Sequence, residues 1–182
     1  MGYIGKYKPF LIFLVKFFAT YVILGALYSF WLSRYEGPDA SIDPATEMVA
    51  RQSVWLIEVA GAHAEAVPHE SRSYLKLFFE GDYTARIIEG CNAISVMILF
   101  VSFLVAFSGT LKNTVLFAFS GCIIIHILNI SRIALLSAAI YHFPEQEHFL
   151  HGVVFPLFIY GVVFIMWVIW VNRFSYYANV KK

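Results

Sequence analysis

Charge is what this sequence has least of. Asp, Glu, Lys and Arg together make 14% of its 182 residues, where a soluble domain carries about a quarter. That scarcity, beside 60% hydrophobic residues, excludes an ordinary water-soluble domain and points to a membrane protein. Basic runs are missing too, and a net charge of +1 offers no footprint for a nucleic acid, so none is expected as a partner. Cysteine is rare: Cys91 and Cys122 form no C-x-x-C pair and no zinc-type spacing. Internal repeats and low-complexity segments are absent as well.

What the chain does have is four apolar stretches, at about 9–32, 92–107, 114–141 and 149–171. A helix crossing a bilayer needs roughly 20 apolar residues, with about 17 as the short limit. The second stretch sits at that limit and borrows Gly90 and Cys91 to reach it. The first is too long for a signal-peptide core and lacks a small-residue cleavage site, so it is read as a span; its Lys16 is near enough to one end to snorkel. The expected fold is an all-α, single-domain integral membrane protein over residues 1–182, with four transmembrane helices.

Asp and Glu are missing from residues 1–35, 90–144 and 148–182. Those stretches hold Lys6, Lys8, Lys112, Arg173, Lys181 and Lys182, whereas every acid lies within 36–89 or at Glu145 and Glu147. Basic flanks favour the cytoplasmic side. Both termini are therefore expected inside, and the 33–90 region and the 142–148 link outside, in a multi-pass protein of the cytoplasmic (inner) membrane. Within the external region, residues 33–43 read as a loop around Gly37 and Pro38. Asp43-Pro44-Ala45-Thr46-Glu47 reads as a helix start, and an amphipathic helix over 44–60 follows, with Met48, Trp55, Leu56 and Val59 as its greasy face. It would lie on the membrane or cover the span mouths, or simply pack. Two short extended pieces are expected around Glu80-Gly81-Asp82.

Three features do not suit a passive bundle. Arg132 stands within an apolar span, about 13 Å from its outer end at ~1.5 Å per residue. An arginine at such depth costs ~2.5 kcal/mol or far more, so it faces a cavity or a partner, or it snorkels to phosphates. Asn129 shares its face, one turn earlier, while His126 reads as a hydrogen-bonded interior histidine. His148 and His151 stand three residues apart at the external start of the fourth span. With Glu145, Glu147, His142 or Cys91 they complete no recognised metal motif, and general-base chemistry is the better use of an imidazole. Cys91 alone would pass for a small buried hydrophobe. The topology, however, brings it to one outer level with Arg132 and His148. Cys122 lies in the inner half of span three, which argues against a disulfide with Cys91 and for plain packing.

A thiolate raised by a neighbouring histidine or cation attacks a peptide carbonyl, and a fixed guanidinium stabilises the oxyanion that forms. The resulting thioester is open to water, an amine or a sugar hydroxyl. Cys, Arg and His at one membrane surface thus describe a cysteine acyl transferase or protease. The competing reading is a non-catalytic membrane partner or assembly subunit whose Arg132 docks another chain's helix. A quinone-linked thiol oxidase is disfavoured by the missing C-x-x-C.

The segments "EGCNAISV", "NISRIALL" and "EHFLHGVVF", in that order and each at a span, resemble the signature segments of the exosortase/archaeosortase family, and the compact layout is similar to its type F members. The resemblance implies a membrane transpeptidase. Its substrates would be exported proteins bearing a C-terminal sorting signal, namely a short motif, an apolar helix and a basic tail, passed to a glycan or lipid acceptor at the cell surface. It implies Cys91 as nucleophile, Arg132 facing the oxyanion, and His148 as proton-transfer residue in the His-x-x-x-Gly phase with Gly152. His151, directly before Gly152, is the rival, and Asn129 a supporting residue. No cofactor or metal is implied. Asn92-Ala93 replaces the small Ser-Gly-type pair usual after the family's cysteine.

Overall fold

The computed structural model describes residues 3–35, 41–70 and 72–176, with side chains from residue 7 onward. Loop residues Gly37 and Pro38, the side chain of Lys6, and Lys181 and Lys182 lie outside the described residues.

Helices dominate, as the apolar stretches imply. α1 spans Tyr3–Leu32, α2 Pro44–Val59, α3 Ile94–Ala106 and α4 Leu111–His142. A short α5, Glu147–Phe149, leads through a π-helical turn, Leu150–Val154, into α6, Phe155–Arg173. Among the described residues three helical segments are long and apolar enough to cross a membrane: Tyr7–Leu32, Leu111–His142 and Pro144–Arg173. α3 has 13 residues, about 20 Å of helix against a hydrocarbon core of ~30 Å.

The expected all-α fold needs one correction. Residues 64–87 carry a three-stranded antiparallel sheet, β1 (Ala64–Pro68), β2 (Leu75–Phe79) and β3 (Asp82–Ile87), in the order β1-β2-β3. The two extended pieces around Glu80-Gly81-Asp82 are β2 and β3, joined by a turn with Glu80 and Gly81 at positive φ, 51° and 87°. β1 has no alternating pattern in "AEAVP" to announce it. It exists because β2 offers it a partner.

By their internal contacts the residues fall into two compact units, one of 1–31, 94–124 and 162–182, the other of 32–93 and 125–161. In the first, aromatic side chains do the packing. Phe13 meets Phe103 and Phe107, Phe103 stacks on Trp167, and Phe117 lies against Trp170 and Phe174. Gly121 leaves the space that the buried Phe100 ring fills, since a Cβ there would run into that ring. Lys16 Nζ donates to Ser108 Oγ at 2.7 Å.

In the second unit, α2 and part of α4 share a core with the sheet. Val49 and Ala50 of α2 join Leu75, Leu77, Ile87 and Ile133, and a neighbouring cluster holds Ile57, Ala64, Phe79 and Ala134. α2 begins as its sequence dictates: the Asp43 carboxylate accepts from Ala45 N at 3.1 Å and Thr46 N at 2.9 Å, with Pro44 in the first turn. Its buried stripe is Thr46, Val49, Ala50, Ser53 and Ile57. Of the greasy face read from the sequence, Met48, Trp55 and Val59 are exposed and Leu56 is half-buried. Two hydroxyls disguise the stripe that packs. Ser53 Oγ satisfies itself on Val49 O at 2.8 Å, and Thr46 lies next to Asn92, whose Nδ2 is 3.4 Å from its hydroxyl.

Candidate active site

The connection from β3 to α3 is a single 3-10 turn, Glu89–Cys91, closed by Cys91 N donating to Ile88 O at 2.8 Å. It leaves Cys91 half-buried against the sheet core, as a free thiol. Ala93 then adopts φ +62°, the left-handed region that an L side chain resists by about 1–2 kcal/mol. A glycine would adopt it without that cost. The bend is held from two sides. Asn129, buried on α4, donates Nδ2 to the Cys91 carbonyl at 2.6 Å. Asn92, 97% buried at 3% exposure, points at Thr46 at the start of α2.

Cys91, Arg132 and His151 line one cleft of about 180 Å³, together with Thr84–Ile87 of β3, three apolar residues of α4 and Glu147. Arg132 Nε is buried and has no hydrogen-bond partner among the described residues. An unpaired buried donor of that kind costs about 1–3 kcal/mol, a cost offset when an acceptor arrives.

The two rival histidines part company here. His151 belongs to the cleft lining; His148, an exposed residue one short step earlier, does not. The π-helical turn at Leu150–Val154 is the reason. A widened turn needs more residues per revolution, so a three-residue step leaves the rings further apart in phase than on an α-helix. Pro156 encourages that geometry, because it has no N–H to give the carbonyl four residues back. Elsewhere in the same unit, larger clefts of about 410 and 460 Å³ are mostly apolar. His126 borders the second of these, its Nε2 bonded to Gln52 Oε1 at 2.7 Å, the satisfied interior histidine read from the sequence. Among the described residues no three His, Cys, Asp or Glu side chains converge on a metal-sized site.

Arg132 was legible as a candidate in the sequence because it breaks an apolar pattern, and Cys91 because it stands at a span boundary on one level with Arg132 and His148. Arg86 was not, because a charged residue in a polar segment breaks none, and Glu147 was weighed only as a metal ligand; the fold brings both to the cleft.

Comparison with known proteins places these residues in a family. The model of the transmembrane exosortases matches residues 11–171. The chain belongs to the transmembrane exosortase family. The match spans all three signature segments and every residue of the cleft. This exosortase-family chain is accordingly a multi-pass membrane protein, and the family is one of cysteine-type peptidases and transpeptidases. No curated protein and no solved structure matches it.

Proposed function

We propose that the chain is a membrane cysteine peptidase or transpeptidase with Cys91 as nucleophile, Arg132 as oxyanion partner and His151 as proton carrier. The observation that supports this reading is the shared cleft, which takes a thiol, a guanidinium and an imidazole from three separate elements. His151 takes the role ahead of His148 because it, and not its neighbour, borders the space beside the thiol.

The chemistry balances with these groups. His151 accepts the Cys91 proton, and the thiolate adds to a peptide carbonyl carbon. The oxyanion forms beside Arg132, whose unpaired Nε–H is a donor waiting for an acceptor. Collapse breaks the C–N bond, and the imidazolium returns its proton to the departing amine. A thioester remains. Water, an amine or a sugar hydroxyl then attacks it, with His151 taking the incoming proton and the thiolate leaving. The substrates are exported proteins carrying a C-terminal motif, apolar helix and basic tail, and the acceptor is a glycan or lipid of the cell surface.

The topology that goes with this reading has four crossings, with α3 and its adjoining turn as the short one. Both termini face the cytoplasm and the cleft opens at the outer face of the cytoplasmic membrane. The one-sided placement of acids supports it. On α2 the exposed Met48, Trp55 and Val59 then rest on the membrane interface.

Intact-mass analysis of candidate substrates, co-expressed with wild type or with Cys91→Ala, tests the proposal. Loss of the C-terminal tail with wild type alone is the expected result, and the residual mass identifies the acceptor. Normal processing by a folded Cys91→Ala protein would sink the mechanism and leave the docking-subunit reading.

A further inference from the structure

Among the described residues β3 is the terminal strand of its sheet, bonded to β2 on one side only. Four consecutive residues of it, Thr84, Ala85, Arg86 and Ile87, line the cleft that holds Cys91. Successive side chains of a strand point to opposite faces, so a cleft lying over one face would meet alternate residues. The register shifts at Thr84, but Ala85, Arg86 and Ile87 alternate regularly, and three in a row place the cleft along the strand's free edge.

Two hydrogen bonds fix which backbone groups face that edge. Glu80 N donates to His63 O at 2.8 Å and His69 N to Tyr74 O at 2.9 Å. With β1 and β2 in the register Ala64↔Phe79 through Pro68↔Leu75, the alternation of an antiparallel ladder then bonds Phe78 and Lys76 to β1. Phe79, Leu77 and Leu75 are left to bond β3, at Asp82, Ala85 and Ile87. Arg86, opposite Lys76, consequently turns its N–H and C=O away from β2. The strand ends four residues before Cys91, so a chain paired along it is led to the thiol.

We propose that the substrate segment containing the scissile bond binds as an extended fourth strand on β3, exchanging backbone hydrogen bonds with Arg86. This rests on the cysteine-peptidase reading and deepens it. Only an extended peptide offers donors and acceptors at the spacing of a strand edge, and main-chain pairing accepts many side chains. Selectivity then falls to the few side chains that the cleft admits.

The test uses full-length protein in membranes and follows alkylation of Cys91 by mass spectrometry. The probes are iodoacetamide, acetyl-tetra-alanyl chloromethyl ketone, and the same ketone N-methylated at alternate alanines. The unmethylated peptide should label Cys91 about tenfold faster than the methylated one, the equivalent of one or two backbone hydrogen bonds. Arg86→Pro, whose ring stands at the outward edge and obstructs a pairing strand, should bring that ratio close to one, whereas Arg86→Ala should keep it. Equal rates for the two peptides on wild type, with iodoacetamide still labelling Cys91, would overturn the strand pairing and spare the peptidase reading. This comparison needs no variant to fold. Failure of iodoacetamide to label Cys91 ahead of Cys122 would overturn the peptidase reading, and the strand pairing with it.

Discussion

Asn129 of α4 donates its side-chain N–H to the main-chain carbonyl of Cys91 at 2.6 Å. The backbone of the proposed nucleophile is therefore tied to the helix that carries Arg132, one turn further on. Asn129→Ala leaves that carbonyl without its donor and frees the turn. Processing should fall about tenfold, and stability by about 1–3 kcal/mol, the cost of an unpaired buried polar group. Rates of tail removal and denaturation in detergent measure the two effects separately.

Arg132→Lys keeps the charge and loses the planar fork. A point charge on a flexible stem does not reproduce the Nε–H of a residue that lines the cleft. Turnover should drop about a hundredfold, the scale of one lost oxyanion donor, with insertion into the membrane unchanged. Near-normal turnover would make Arg132 a structural cation.

The two histidines separate cleanly by substitution. His151→Ala should reduce processing by about two orders of magnitude or more, as loss of a general acid–base does. His148→Ala should leave it close to wild type. The reverse pattern would assign the proton transfer to His148 and require the π-helical turn to unwind when substrate binds.

Ala93 holds a positive φ that glycine adopts freely. Ala93→Gly should raise stability by up to about 1 kcal/mol, offset in part by the entropy glycine gains in the unfolded chain. A lower midpoint of unfolding would show that the Ala93 methyl, 7% exposed, contributes more by packing than its backbone costs.

Gly121 tests the other unit. Gly121→Ala sets a methyl group against the Phe100 ring, and overpacking of that kind costs about 1–3 kcal/mol. Gly121→Ala combined with Phe100→Leu should recover part of the loss, because the shorter side chain vacates the space. No recovery would place the strain elsewhere on α4.

Much of the helical frame was readable in advance. The Asp43-Pro44 start of α2, the long α4 and the Glu80-Gly81 turn all follow from local rules of capping, hydropathy and positive φ. The sheet was only half legible: β2 alternates and β1 does not, so β1 depends on a partner that lies across a loop. The packed face of α2 was hidden by Thr46 and Ser53: the Ser53 hydroxyl bonds Val49 O one turn back, and Thr46 lies beside Asn92, so both count as polar in a periodicity reading yet are buried. Of the candidate site, Cys91 and Arg132 announce themselves as a thiol at a boundary and a charge in an apolar run.

Composition and residue order alone determined that this is a membrane protein, where its long helices run, and which family it resembles. Those properties add up along the chain, so no contact is needed to read them. The tertiary structure decided which histidine lines the cleft with Cys91, which edge of the sheet meets that cleft, and which asparagine holds the Cys91 carbonyl. Each of these depends on phase: the width of one helical turn, the register of three strands, and the face α4 presents. Phase is set by what packs against an element, and a sequence read by itself carries no record of that.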